Sequence, residues 1–235
     1  LTETRHLQSQ LAHAQRLSAM GKMVASLAHQ IRTPLSAAIL YGGHLTQDDL
    51  DEEMRQRCAS RLMSRLTHLE QQVRDMLIFA RGETRLAEEL SAATLVSALE
   101  SALEGIKPAA GSDVMLKSDM PEECRLLCNR DALVGACTNL VNNSLEAGAT
   151  VVAVQVVSEA GELLIRVMDN GPGFGKAEAS RLAEAFYTTK SHGTGLGLAV
   201  VQAVVKAHQG QFSIESPEPG GAVATLRLPL LRNKG

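Results

Sequence analysis

Leu17, Met20, Val24, Leu27, Ile31, Pro34/Leu35 and Ala38 step by three and four residues. That spacing lays an apolar stripe along one side of an α-helix and demands a helical partner for it. Leu7, Leu11 and Ala14 extend the stripe upstream, with a phase slip before Met20 of the kind that changes supercoiling locally. Gly42 and Gly43, then Thr46 to Asp49, mark a turn. A second helix follows, with Leu62, Leu66, Leu69, Val73, Met76 and Leu77 on one face and a basic last turn at Arg81-Gly82. Two amphipathic helices cannot close a core alone; two hairpins forming a dimeric four-helix bundle can.

The pattern changes after Gly82. A helix is expected near Ala92–Ile106, short strands near Val114–Lys117 and Cys124–Cys128, and a helix near Asp131–Ala147. Val151–Val157 and Leu163–Met168 are rich in β-branched residues and read as strands. Gly171 to Gly197 is glycine-rich; a helix near Leu198–His208 and strands near Phe212–Glu215 and Ala222–Leu228 close the chain. The fold class is α+β: a helical hairpin over 1–84, with 1–16 as a coiled-coil linker from an input domain, then an α/β sandwich with a mixed sheet over 85–235.

Of the 235 residues 45% are hydrophobic and 21% charged, a globular balance. A net charge of −3, no Trp and 3% aromatics supply neither the basic field nor the stacking surface of a nucleic-acid binder. No apolar run reaches the roughly eighteen residues of a spanning helix, so no membrane contact is expected within this stretch. The chain opens with Leu1 and has no signal-peptide pattern, so it reads as a cytoplasmic piece of a longer protein. Cys58, Cys124, Cys128 and Cys137 lack the further ligands of a zinc site and read as reduced core residues.

His29 lies two residues from both Leu27 and Ile31, about 200° around the helix from each. It therefore points off the apolar stripe, where a lone histidine is ordinarily a solvated residue. Pro34 changes its setting: proline has no N–H to donate to the Gln30 carbonyl, so the helix loosens beside the histidine. A neutral imidazole is a competent nucleophile near neutral pH.

Asn139 and Asn143 stand one helical turn apart and share a face. Their amide oxygens suit Mg²⁺, although capping or buried asparagines are the plainer reading. Asp169-Asn170-Gly171-Pro172-Gly173-Phe174 follows a strand, as a reverse turn would, or as a carboxylate with close-approach glycines beside it. Lys190 and Gly193-Thr194-Gly195-Leu196-Gly197-Leu198 put glycines and a cation before a helix N-terminus, an arrangement that suits phosphate. A dinucleotide fingerprint fails here, because the spacing is Gly-x-Gly-x-Gly and no apolar strand precedes it.

Together these segments resemble the catalytic core of the sensor histidine kinases. His29-Gln30-Ile31-Arg32-Thr33-Pro34-Leu35 is similar to the family's phosphoacceptor box, departing at Gln30, where most of the family has an acid. Asn139 to Ala147 resembles the N box, Asp169 to Phe174 the G1 box, and Phe186 to Lys190 with Gly193 to Leu198 the F and G2 boxes of the Bergerat-type ATP-binding fold.

The resemblance implies ATP and Mg²⁺ as cofactors. It implies His29 as the phosphorylated residue, with Gln30, Arg32, Thr33 and Pro34 around it. Asn143 is the implied metal ligand, with Asn139 beside it. Asp169, Gly171, Gly173 and Phe174 seat adenine, and Lys190, Gly193, Thr194, Gly195, Leu196, Gly197 and Leu198 line the phosphates. The stretch from Pro172 to His192 is the mobile lid. The implied partners are a second copy of the chain and the receiver domain of a response regulator, with no direct nucleic acid.

Ser18 to Met23, Gln30 and Phe186 to Lys190 further resemble flagellar kinases of the FleS/FlrB type, which act on sigma-54-dependent activators. Thr33, one turn from His29, matches the position that orients water when the regulator is dephosphorylated. His6, His13, His44 and His68 read as solvated, His192 as a lid residue and His208 as a helix end. An ATPase machine of the same fold explains only the second half of the chain. A non-catalytic ATP-binding scaffold for a regulator is the other reading.

Overall fold

The computed structural model describes residues 28, 30–47, 49–81, 88–106, 111–121, 123–175, 178, 181–182 and 195–231. The chain divides into two compact units, with the boundary after Arg81. The first is a helical hairpin of α1, residues 30–45, and α2, Glu52–Arg81. α1 runs through Pro34, and also through Gly42 and Gly43, where a turn was expected. A helical glycine costs only about 1 kcal/mol relative to alanine. The helix ends where the Thr46 hydroxyl and N–H both close on the Gly43 carbonyl, at 2.8 and 3.3 Å.

Asp51 starts α2 by accepting the Met54 N–H at 2.7 Å, and Glu52 and Glu53 complement the helix N-terminus. The Arg55 guanidinium ties the turn by donating to the carbonyls of Leu45 (3.5 Å) and Leu50 (3.3 Å). Pro34, Ala38, Cys58 and Met76 are buried, together with two polar residues that the periodicity did not mark, Gln72 and Asp75. Leu35, Ile39, Leu40, Met63, Leu66, Val73 and Leu77 are exposed. The apolar stripes are therefore only partly covered within one chain.

In the second unit five strands form one mixed sheet in the order β2-β4-β5-β7-β6. They are β2 (Asp113–Asp119), β4 (Val151–Glu159), β5 (Glu162–Asp169), β6 (Gln211–Glu215) and β7 (Val223–Pro229). β2 and β4 are parallel and the other pairs antiparallel. Val152, Val154 and Val156 alternate into the core from β4, as the β-branched run required. α3 (Ala92–Glu104), α4 (Arg130–Glu146) and α5 (Gly197–Ala207) pack on the sheet, with α4 between the other two. The class is α+β, with a helical region followed by a helix-on-sheet unit.

A second, two-stranded sheet pairs β1 (Glu88–Ser91) with β3 (Arg125–Cys128). β3 begins one residue later than expected, because the Cys124 N–H turns onto the Pro121 carbonyl at 3.1 Å. Cys128 is therefore buried in the strand, while Cys124 is half-buried before it. Burial pushes the Cys128 thiol up to about 11 and the Cys137 thiol up to about 12, so neither forms a thiolate near neutral pH.

His208 caps α5, as a helix end should, and it is buried. Its Nδ1 donates to the Val204 carbonyl at 2.7 Å, which leaves Nε2 to accept the Asn129 N–H at 2.9 Å. Asn129 in turn caps α4 through its side chain, on the Ala132 N–H at 3.0 Å. The neutral ring thus pins the end of α5 to the start of α4, and burial lowers its pKa from the usual 6.5. A lowered folded pKa means that the unfolded chain binds the extra proton. Its contribution is complete above about pH 6.5 and is lost as pH falls below that value. His208→Ala is expected to lower stability by about 2–3 kcal/mol at pH 8. Urea midpoints measured from pH 8 to pH 5 should also lose part of their acid dependence in the variant; an unchanged pH slope would contradict this role.

Candidate functional site

Asp169 is the last residue of β5, and its carboxylate is held from both sides. Oδ1 accepts the N–H groups of Gly171 at 2.9 Å and Ala222 at 3.1 Å, and Oδ2 accepts the Ser144 hydroxyl at 2.6 Å. The backbone repeats the connection, since the Asp169 N–H donates to the Ala222 carbonyl at 3.0 Å. A strand end, the turn after it, α4 and the start of β7 thus converge on one side chain. Asn170 beside it is structural. Its Oδ1 accepts the N–H groups of Thr150 and Val151 at 2.9 and 2.8 Å, and its Nδ2 donates to the Thr150 hydroxyl.

The glycines of this turn are required by close approach. Gly173 has φ +70°, and a Cβ there would meet the Ser216 hydroxyl and lie 2.8 Å from the Gly221 carbonyl. Ser216 completes the clasp by accepting the Phe174 N–H at 3.1 Å and donating to the Gly221 carbonyl at 2.8 Å. At Gly171 a Cβ would lie 3.0 Å from Asp169 Oδ1, so the backbone hugs the carboxylate.

Gly221 is buried with φ +86°, its N–H donates to the Gly171 carbonyl at 2.9 Å, and a Cβ would strike the Asp169 carbonyl. A left-handed conformation costs an L-residue about 1–2 kcal/mol, and the clash adds about as much again. Gly221→Ala is therefore expected to destabilise the second unit by about 3 kcal/mol. The change is read as a lower urea midpoint of the chain; an unaltered midpoint would show that the loop relaxes freely.

Asn139 and Asn143 are half-buried on α4, and Glu146 is exposed at its end. Gly197 opens α5 against Asn143: a Cβ on Gly197 would lie 3.3 Å from the Asn143 Nδ2. Gly195 has φ +64°, Leu196 is buried, and α5 starts without a side-chain cap. Its first-turn N–H groups are of the kind that serve an anion. Leu198 is half-buried in the same turn.

The structure therefore brings the Asn139–Asn143 helix face to the Gly195–Leu198 helix start. Through the adjacent Ser144 it also brings that helix to the Asp169 turn. Gln30 is half-buried in α1, Arg32 and Thr33 are exposed, and Pro34 is buried. His29, Lys190, Gly193, Thr194 and His192 lie outside the described residues, as does most of the expected lid.

Ser144, Ser216 and Gly221 complete the site, and the motif reading assigned them no role. Ser144 was detectable: it falls on the helix face of Leu133, Cys137 and Leu140, and a hydroxyl on a buried stripe requires a partner.

Residues 19–85 match the His Kinase A (phospho-acceptor) domain. Residues 128–232 match the histidine kinase-, DNA gyrase B-, and HSP90-like ATPase family. The chain is 51% identical to sensor protein kinase FleS of Pseudomonas aeruginosa, over 98% of the chain and 57% of FleS. It is 31% identical to sensor protein FixL of Bradyrhizobium diazoefficiens, over 95% of the chain and 46% of FixL. It spans about half the length of these relatives.

A crystal structure of histidine kinase ThkA in complex with response regulator protein TrrA superposes with a TM-score of 0.69. It covers 100% of this chain and 69% of that one at 21% identity, a likeness of fold. A phosphoacceptor helix pair and an ATPase unit, in this order in one chain, are the two halves of a kinase core, and the chain carries the catalytic core of a sensor histidine kinase.

Proposed function

We propose that this chain transfers the γ-phosphoryl of ATP to His29 and then to an aspartate of a response regulator. The observation that carries the reading is the triply bonded Asp169 carboxylate, whose partner Ser144 stands next to Asn143 on α4, the asparagine that packs on the start of α5. Asp169 accepts the adenine amine, and Gly171, Gly173 and Phe174 shape the wall beside it. Gly193, Thr194, Gly195, Leu196, Gly197, Leu198 and Lys190 take the phosphates.

The donor set near Asn143 fits Mg²⁺, which accepts one or two protein oxygens and otherwise keeps water and phosphate. Asn143 would hold it with Asn139 beside it, and the ion supplies charge neutralisation on the phosphates when bound. The imidazole nitrogen of His29 forms the N–P bond as the bond from phosphorus to the bridging oxygen breaks. ADP leaves with that electron pair, and the imidazole gives up its proton.

Around His29, Gln30 orients the ring, Pro34 loosens the helix, Arg32 adds positive charge, and Thr33 positions water for dephosphorylating the regulator. The working unit is a homodimer: exposed Leu35, Ile39, Leu66 and Val73 supply the apolar faces of a four-helix bundle. The phosphoacceptor domain is 1–84 and the catalytic domain 85–235, both placed in the cytoplasm.

Identity with FleS points to a flagellar regulator of the sigma-54-dependent class as the partner. The test is transfer: phosphorylated chain is mixed with the isolated receiver domain of such a regulator, and the label should move to the receiver within minutes. Label that stays on the kinase would reject that partner class. ATP binding with no label at all would instead favour a scaffold.

Gln30 cannot take the imidazole proton as an acid does, and a positioned base contributes about 10²–10⁴-fold. Gln30→Glu is expected to raise the rate of autophosphorylation by at least about tenfold in single-turnover assays. An unchanged or lower rate would sink the idea that the missing acid limits transfer.

A further inference from the structure

We infer that Ser144 is a positioning residue that sets how strictly the site demands an exocyclic amine on the purine. The inference rests on the reading of Asp169 as the adenine acceptor. A carboxylate offers about four lone-pair positions. Among the described residues Oδ1 receives two donors, the N–H groups of Gly171 and Ala222, and Oδ2 receives one, the Ser144 hydroxyl at 2.6 Å. One position on Oδ2 therefore remains for a ligand, and the serine determines its direction.

Ser144 is buried on α4, so its hydroxyl is committed to this bond and is not exchanged with bulk water. The remaining lone pair accepts a donor at the purine 6-position and repels a carbonyl there. Removing the hydroxyl opens a second position on Oδ2. Water can then enter and present a donor to a 6-oxo purine, so the carboxylate ceases to discriminate by direct contact. The Ser144 hydroxyl thus acts through Asp169, and its influence shows in selectivity between nucleotides more than in affinity for triphosphate.

The experiment is calorimetric titration of the whole chain with ATP and with inosine triphosphate, which carries a carbonyl where ATP has its amine. The wild-type chain is expected to prefer ATP by at least about a hundredfold. Ser144→Ala should cut that preference about tenfold, with inosine triphosphate affinity held or improved.

A preference that survives Ser144→Ala while Asp169→Asn destroys it overturns the role of the serine and leaves the adenine reading standing. A wild-type chain with no preference, or with no ATP binding, overturns both the serine role and the adenine reading beneath it.

Discussion

Asp169→Asn is expected to weaken ATP binding at least about a hundredfold while leaving the second unit folded. The substitution keeps the size and shape of the side chain and replaces one acceptor with a donor. In one orientation the amide oxygen still receives the N–H groups of Gly171 and Ala222, and the new NH₂ faces the Ser144 hydroxyl and the position assigned to the adenine amine. In the other it faces two backbone N–H groups. The second orientation sets the NH₂ against two backbone donors at the turn, so the first is favoured, and in it the nucleotide meets a donor where it needs an acceptor.

The turn itself survives, because Asn170 holds Thr150 and Val151 independently, and Ser216 with Gly221 closes the opposite side. Titration calorimetry gives the affinity, and urea unfolding confirms the fold. An affinity within about threefold of wild type would mean that Asp169 is a turn residue and no more.

The elements that could be read from sequence are those whose own periodicity fixes them. The heptad-like steps from Ile31 to Ala38 and the β-branched run at Val151 required a helix and a strand whatever lay around them. β1 had no such signature: Glu88-Glu89-Leu90-Ser91 is a strand because β3 lies alongside it, with Glu89 paired to Arg125 at 2.7 Å. Gly42 and Gly43 read as a turn and are helical, since a glycine only weakens a helix and does not end it.

The same division holds at the site. Asn143, Asp169 and Gly197 could be chosen from their motifs, because each motif is local. Their convergence could not, since it is made by partners distant in sequence: Ser144 marks itself on a buried helix stripe but does not name Asp169 as its partner, and Ala222 and Gly221 from the strand beyond and Ser216 under Gly173 leave no local mark. The buried His208 is a similar case, for its partner Asn129 is distant in sequence.

Replacing His29 by alanine is expected to abolish phosphorylation while sparing ATP affinity, because the proposed nucleophile precedes the boundary after Arg81 and the Asp169 turn lies in the second unit. Of Gln30, Arg32, Thr33 and Pro34 only Thr33 carries a hydroxyl that can take a phosphoryl group, and a threonine phosphate withstands acid where a phosphohistidine does not. Loss of a covalent nucleophile lowers the rate by far more than any positioning defect, on the order of 10⁴-fold or beyond, which in this assay means no signal. The spacing from Leu27 and Ile31 sets position 29 off the apolar stripe, so little packing is expected to be lost and the variant should unfold at the same urea concentration as wild type.

The measurement is incubation of the wild-type and His29→Ala chains with Mg²⁺ and γ-labelled ATP, followed by acid and base treatment of the labelled protein. The account predicts a label that survives base, is lost in acid and is absent from His29→Ala. A label that persists in His29→Ala, or that withstands acid, would contradict it.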